Sequence, residues 1–149
     1  MKYLLPLSLA LVLVACGGAS EAQAEEPSTA NSTTEGAWIQ DDFDAAMALS
    51  AETGKPVFID MYADWCGPCV MLAEDYFPRE DYQEVLEQCV LLKINIDNYP
   101  QYAQRYGVQS IPTLLLTDAH GTEIDRITGV MGSPEEFLPM ISQFISLGL

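Results

Sequence analysis

The sequence predicts an α/β domain in which a central mixed β-sheet is flanked by helices on both faces. Two runs, Pro56–Tyr62 and Val90–Ile96, are almost continuously apolar, which is typical of strands covered on both faces. Helical patterns precede and separate these runs, and two short strand-like segments follow them around a turn at 118–121. The resulting order, β-α-β-α-β-α-β-β-α, favours a mixed sheet between two helical layers.

The first helix is predicted from its two ends. Asp41 or Asp42 can cap its amino end, the helix extends to about Thr53, and Gly54 stops it. Its apolar residues fall at helical spacing and predict one buried face: Phe43, Ala46, Met47 and Ala51.

The middle of the chain contains three further helical segments. One begins near Cys66 and breaks around Phe77–Pro78, because proline lacks an amide donor and clashes with the preceding turn. A second piece continues to about Gln88, and a short helix over Tyr99–Tyr106 ends at Gly107.

The last third of the chain predicts a hairpin and a closing helix. Thr113–Thr117 and Glu123–Thr128 form the antiparallel strands. Ser133–Glu136 combines an N-cap, a proline at the first helical position and a capping-box glutamate. The final helix then presents four apolar side chains to the sheet: Phe137, Ile141, Phe144 and Ile145.

The charge of the chain excludes two classes of partner. The 149 residues contain 22 acidic and 6 basic side chains, which gives a net charge of −16. Nucleic-acid binding requires clustered Lys and Arg to displace phosphate counterions, and this sequence cannot build such a patch. Electrostatic docking to anionic lipid is excluded for the same reason. The acids are most simply a solubilising coat, although they could also steer basic client proteins.

The amino terminus predicts a sorting signal. Residues 3–15 are apolar apart from Pro6 and Ser8, too short to span a bilayer but suited to a signal-peptide core. Leu13–Cys16 resembles a bacterial lipobox, which predicts a signal peptide over 1–15 and a lipid on Cys16. The alternative is an ordinary secretory signal in which Cys16 is incidental. Gly17 favours the outer membrane if the host is Gram-negative.

The next segment predicts a tether. Residues 17–36 are small, polar and acidic and contain no large apolar side chain, so they cannot bury a core. The expected organisation is therefore a lipidated cysteine and disordered tether over 16–36, followed by one domain over 37–149. The expected location is the periplasmic face of a membrane, outside the cytoplasm.

The sharpest motif is Trp65–Cys69, which reads WCGPC and follows a buried strand. A Cys-x-x-Cys on the first turn of a helix brings two sulfurs within disulfide distance. It also points the positive helix end at the first sulfur, which favours its thiolate. We expect Cys66 to be exposed and nucleophilic, and Cys69 to be buried and resolving.

The motif has two other interpretations, a zinc site and a structural disulfide. Half of a zinc site needs two more ligands, and the remaining candidates, Cys89 and His120, supply no second paired spacing. A purely structural disulfide that closes so short a loop would stabilise the fold little. A redox pair is therefore favoured, with no metal and no cofactor.

Three segments resemble the thioredoxin-like family. Asp60–Cys69 is similar to the active-site segment of thioredoxins, Ile111–Thr113 to their cis-proline segment and Lys93–Asp97 to their third strand. Tyr62–Cys66, with the break at 76–78, is also similar to the periplasmic C-terminal domain of the disulfide interchange protein DsbD. The resemblance implies a thioredoxin fold.

The resemblance also implies the role of a buried acid. Asp60 is a lone carboxyl group inside a buried strand, so its pKa should rise and it could accept the proton of Cys69. A carboxylate satisfied by a local hydrogen bond is the alternative. Lys93 would lie near Asp60 and modulate its charge, or simply extend to solvent.

Other residues implied by the family surround the first cysteine. Pro112 should be cis and lie beside the cysteines, which leaves the backbone of Ile111 free to pair with an extended substrate. Trp65, Gly67 and Pro68 would shape the surface near Cys66, although Trp65 could equally be a packing residue.

One position departs from the family. Thioredoxins usually carry a basic residue after the second cysteine, whereas this chain has Val70. The missing positive charge, with Asp64 close by, should disfavour the Cys66 thiolate somewhat.

Two residues are expected to take no part in the chemistry. Cys89 precedes a strand that runs parallel to the one before Cys66, so it should lie at the opposite end of the sheet as a buried, inert thiol. His120 should be a solvated turn residue.

These observations together favour a monomeric, membrane-tethered reductase of protein disulfides, with Cys66 and Cys69 as its redox-active pair. The Gly-Pro dipeptide between the cysteines matches thioredoxin itself, and the resemblance implies a membrane electron donor of the DsbD type. The alternatives are a disulfide oxidase or isomerase, or a non-catalytic adaptor that uses the same fold as a docking surface.

Overall fold

The computed structural model describes residues 37–149 and contains a five-stranded mixed sheet in the order β1-β3-β2-β4-β5. The signal peptide, Cys16 and the tether predicted over 1–36 lie outside the described residues. The strands are β1 (Ile39–Gln40), β2 (Val57–Tyr62), β3 (Val90–Asn95), β4 (Thr113–Thr117) and β5 (Glu123–Thr128).

The strand directions set the two ends of the sheet. β1 and β2 both pair in parallel with β3, β4 pairs antiparallel with the other edge of β2, and β5 pairs antiparallel with β4. In the β2–β3 register Val57 pairs with Val90, and Asp60 pairs with Lys93. The segment that follows β2 therefore leaves the sheet at the end opposite to the segment that precedes β3.

Helices cover both faces, as predicted. They are α1 (Phe43–Thr53), α2 (Gly67–Met71), α3 (Glu80–Leu86), α4 (Pro100–Arg105) and α5 (Pro134–Ser146). Alternate residues of β2 belong to different cores, because side chains along a strand point to opposite faces. Ile59 packs in the core that contains Phe43 of α1, and Phe58 packs in the core that contains Phe137 of α5. Among residues 37–149, no helix has the length and apolar content needed to cross a bilayer.

The helix ends follow their sequence signals. The Asp42 carboxylate accepts a hydrogen bond from the amide of Ala45 at 3.0 Å, and Gly54 ends α1 with a φ of 72°. The Glu136 carboxylate reaches back to the amide of Ser133 at 2.8 Å, which confirms that arm of the capping box. All four residues predicted to face the sheet from α5 are buried: Phe137, Ile141, Phe144 and Ile145.

The segment after the cysteines differs from the predicted single helix. α2 is short and passes into a π-helical turn over Leu72–Tyr76, in which the Phe77 amide donates to the Leu72 carbonyl at 2.9 Å. The wider turn allows the adjacent side chains of Tyr76 and Phe77 both to enter the core. α3 also ends two residues before the predicted Gln88.

Candidate active site

Cys66 and Cys69 form a disulfide, with their sulfur atoms 2.09 Å and their Cα atoms 5.2 Å apart. Cys66 is the N-cap of α2, and its Sγ accepts a hydrogen bond from the Cys69 amide at 3.3 Å. Pro68 lies in the first turn, where its missing amide proton costs the helix nothing. A Cβ added at Gly67 would meet no atom within 4 Å, so packing does not require a glycine at this position. The absence of a side chain only reduces how far the surface beside Cys66 protrudes.

Both cysteines are buried, and the prediction that Cys66 is exposed was wrong. Its exposed fraction is 4%, against 2% for Cys69. The reason is local packing: the pair forms a small apolar cluster with Ala63, against which Tyr62, Ile96 and Ile111 also pack. In the disulfide form only a small part of Cys66 is therefore accessible.

Trp65 stands beside the pair and is 71% exposed, so it is not a core packing residue. Its indole Nε1 donates a hydrogen bond to the Asp97 carboxylate at 2.8 Å. Asp97 ends the segment that resembles the third strand of thioredoxins, and the sequence pattern predicted no role for it in the site. Asp97 and the segment before Cys66 both follow strands that run parallel to each other. Parallel strands end at the same edge of the sheet, so this position could have indicated that Asp97 lies near Cys66.

Asp60 is fully buried in β2, and within residues 37–149 neither of its carboxylate oxygens has a hydrogen-bond partner. The interpretation that a local hydrogen bond satisfies it is therefore not supported. Burial raises the pKa of Asp60 to about 6, and the nearby positive charge of Lys93 opposes this rise. Asp60 thus titrates close to neutral pH, where a proton acceptor is most useful.

Lys93 lies next to Asp60, as the resemblance implied. Its Nζ is 3.7 Å from the Asp60 carboxylate, and its side chain is 14% exposed. Lys93 and Cys69 both line a cleft of about 150 Å³ at the surface. The remaining residues of this cleft, named the Cys69 cleft below, are Tyr62, Ala63, Asp64, Val70, Ala73 and Glu74. The cleft therefore lies beside both Cys69 and the cation that contacts the buried acid.

The Ile111–Pro112 peptide bond is cis, as expected, and Ile111 packs against the cysteine cluster. The Pro112 carbonyl accepts a hydrogen bond from the Gly129 amide at 2.8 Å. Within the described part of the chain, no hydrogen bond to another backbone group occupies the amide or carbonyl of Ile111.

Two residues lie apart from the site, as predicted. Cys89 is a free, buried thiol at the opposite end of the sheet, and burial raises its pKa to about 12. A thiol with such a pKa is inert near neutral pH. His120 is exposed in the hairpin turn, where its amide donates to the Asp118 carboxylate at 2.8 Å.

The site combines a disulfide at the amino end of a helix, a cis-proline loop packed against that disulfide, and a lone buried acid. This combination defines a class of protein, the thiol–disulfide oxidoreductases. The family comparison agrees, because residues 43–145 match the model of the thioredoxin-like domain. The chain belongs to the thioredoxin-like family and is a thiol–disulfide oxidoreductase.

Individual relatives support the assignment. A thioredoxin H-type from Oryza sativa subsp. indica is 37% identical over 90 residues, which cover 60% of this chain and 70% of that protein. A thioredoxin from Chlamydia caviae is 43% identical over 74 residues, covering 50% of this chain and 69% of that protein. The thiol:disulfide interchange protein DsbD of Cronobacter sakazakii is 37% identical over 100 residues, 63% of this chain but only 17% of DsbD.

Solved structures agree on the fold. A mutant thioredoxin from Halobacterium salinarum has a TM-score of 0.55 at 23% identity, covering 76% of this chain and 96% of that one. A thioredoxin from Malassezia sympodialis has a TM-score of 0.53 at 27% identity, with 72% and 91% covered. The α/β thioredoxin fold implied by the sequence is confirmed.

Proposed function

We propose that this protein reduces disulfide bonds of client proteins outside the cytoplasm while tethered to a membrane. The observation that carries the exchange chemistry is the Cys66–Cys69 disulfide at the start of α2, where Cys69 lines the same cleft as Lys93, the ion-pair partner of Asp60. The tether and the location are supported by the sequence of the amino terminus.

The reaction starts from the dithiol form. The Cys66 thiolate attacks one sulfur of a client disulfide, the client S–S bond breaks, and one client sulfur leaves as a thiolate. The Cys69 thiolate then attacks the Cys66 sulfur of the mixed disulfide and releases the second client sulfur. The client gains two electrons, and the protein loses two as the Cys66–Cys69 bond forms.

Asp60 takes the proton in the second step. Cys69 must lose its proton before it can attack, and a carboxylate with a pKa of about 6 is largely ionised at pH 7. Lys93 keeps a positive charge beside that carboxylate and lines the same cleft as Cys69. Asp60 later returns the proton to solvent.

The client binds beside Pro112. The free amide and carbonyl of Ile111 pair with an extended client segment in the manner of an added strand. Trp65 offers an exposed ring beside the disulfide, and Val70, which is 39% exposed, adds apolar surface where thioredoxins are usually basic.

The favoured direction is reduction. The Gly67-Pro68 dipeptide matches thioredoxin, whose potential is about −270 mV, rather than the strong oxidants near −120 mV. In an oxidising compartment the spent disulfide must be reduced again, and the similarity to part of DsbD supports a membrane donor of that type. Equilibration with glutathione buffers tests the direction: a potential above about −180 mV would point to an oxidase or isomerase instead.

The mechanism is tested by trapping. In Cys69→Ser the mixed disulfide on Cys66 cannot be resolved, so client proteins should accumulate in a complex that reductant dissolves. The trap is made in a Cys89→Ser background, so that no other thiol of the domain can contribute. The double variant Cys66→Ser, Cys69→Ser is the matched control and should hold nothing. Equal yields from the trap and the control would overturn the exchange mechanism.

A further inference from the structure

We propose that Trp38 and Phe77 are positioning residues for the exchange reaction, because they hold the ammonium group of Lys93 beside Asp60. The Lys93 Nζ lies 5.1 Å from the centre of the Trp38 ring and 6.0 Å from that of Phe77. The centre of the Tyr62 ring lies 5.5 Å from the same Nζ, on another side of the ammonium group. Cations are attracted to ring faces within about 6 Å, so the three rings enclose the ammonium group.

The enclosure is built from three separate parts of the chain. Trp38 lies two residues before Gln40, which pairs with Lys93 across the β1–β3 ladder, so Trp38 and Lys93 share a face of the sheet. Phe77 follows the π-helical turn, and Tyr62 ends β2. The parts meet because β1 and β2 flank β3 and the turn packs over that face.

The rings are themselves held in place. Trp38 and Phe77 contact each other with their centres 5.2 Å apart, and both pack against the fully buried ring of Phe58 at 6.0 Å. A rigid aromatic wall restricts the long, flexible side chain of Lys93 to few conformations. Without it, the ammonium group could turn into the Cys69 cleft and leave Asp60.

The charges around Lys93 show why its position matters. Asp64 and Glu74 line the same cleft, so an unrestrained ammonium group would have two other carboxylates to approach. Burial raises the pKa of Tyr62, and the negative charges of Asp41, in the loop after β1, and Asp64 raise it further. Among the described residues, Lys93 is the one cation in an ion pair with Asp60, and its charge lowers a pKa that burial raises. The rings thereby keep Asp60 able to ionise near neutral pH.

The inference rests on the proton role proposed for Asp60, and a spectroscopic titration separates the two. The Asp60 side-chain carboxyl is followed by ¹³C NMR against pH in the full chain with its disulfide intact, where neither active-site cysteine titrates. Trp38→Leu should raise the pKa of Asp60 by about half a pH unit or more, and Trp38→Phe, which retains a ring, by less. Phe77→Leu should also raise the pKa of Asp60, and it replaces Trp38→Leu in the test if that variant does not fold.

Two controls distinguish positioning from general loosening. Phe43→Leu removes a buried ring from the opposite face of the sheet, where it stacks on Tyr102 at 4.8 Å, and should leave the pKa of Asp60 unchanged. In a Lys93→Met background, Trp38→Leu should cause no further shift, because the group it positions is gone. An unchanged pKa in Trp38→Leu and Phe77→Leu, or an equal shift with and without Lys93, would overturn the inference. Loss of turnover in Asp60→Asn is a separate result and tests only the proton role.

Discussion

Asp60 shows how a single residue can be placed for function at a cost to stability. Its carboxyl group lies in the middle of β2, fully buried and 3.7 Å from the ammonium group of Lys93. One ion pair does not replace the hydration that two carboxylate oxygens lose on burial, so the pKa remains raised at about 6. An apolar side chain would pack in this strand without that penalty. The burial of this acid is therefore better explained by the proton role proposed for it than by the needs of the fold.

Asp60→Asn should stabilise the disulfide form at neutral pH. The folded pKa of Asp60, about 6, lies above its unfolded value of 3.8, so folding favours the protonated acid. The stability that Asp60 contributes is complete below about pH 4 and is lost as pH rises through 6. We expect Asp60→Asn to gain about 2–3 kcal/mol over the unmodified protein at pH 7.5 and almost nothing at pH 4.

Urea unfolding of the two proteins at both pH values measures this difference. Glu74→Gln is a control, because it also removes an acid near the site but one that lines the open Cys69 cleft. A gain for Asp60→Asn that is the same at pH 4 and pH 7.5 would show that the carboxyl charge is not its source.

At the level of elements, the β4–β5 hairpin shows how a turn is fixed by its surroundings. Gly121 has a φ of 71°, a conformation that favours glycine, and its carbonyl accepts a hydrogen bond from the Tyr106 hydroxyl at 2.8 Å. A Cβ at Gly121 would lie 2.8 Å from the ring of Phe43 and 3.0 Å from the guanidinium of Arg105. The turn thus packs directly on α1 and α4.

Gly121→Ala should therefore destabilise the domain more than Gly129→Ala. Both glycines have positive φ, 71° and 82°, but a Cβ at Gly129 would meet no atom within 4 Å. Gly129→Ala carries backbone strain alone, about 1 kcal/mol, whereas Gly121→Ala adds a clash with Phe43. Thermal unfolding of both variants measures the difference in stability. Equal losses of stability would show that the neighbours of Gly121 move aside for the added methyl group at no cost.

The elements also mark what could be predicted from the sequence. The apolar runs gave β2 and β3, and caps such as Asp42 and Gly54 placed the ends of α1, because these signals are local. The π-helical turn was missed because it depends on two adjacent aromatic side chains both finding space in the core. The burial of Cys66 and the hydrogen bond from Trp65 to Asp97 could not be predicted either, because both depend on segments that meet only in the folded chain.

At the level of the whole molecule, the active site lies at one end of the sheet, where α2 begins. The proposed lipid on Cys16 and the tether over residues 17–36 would keep this domain near a membrane while leaving it free to turn. In this proposal location and chemistry are separate properties of one chain, since every residue assigned to the site lies within residues 37–149.

Cys16→Ala separates these two properties. In a Gram-negative bacterial host, the unmodified protein should fractionate with membranes after washing in high salt, and Cys16→Ala should appear in the periplasmic fraction. The reducing activity of the purified domain should be the same in both. Cys89→Ser is the matched cysteine control and should remain with the membranes. Membrane association that survives Cys16→Ala would contradict the lipid anchor.

The central claim is that Cys66 and Cys69 reduce protein disulfides, and catalysis of insulin reduction tests it most directly. With dithiothreitol as the electron source, the purified domain should accelerate precipitation of the reduced insulin B chain well above the uncatalysed rate. Cys89→Ser should match the unmodified protein, and Cys66→Ser should fall to the background. A domain that is folded but as inactive as Cys66→Ser would contradict the account and favour a non-catalytic adaptor.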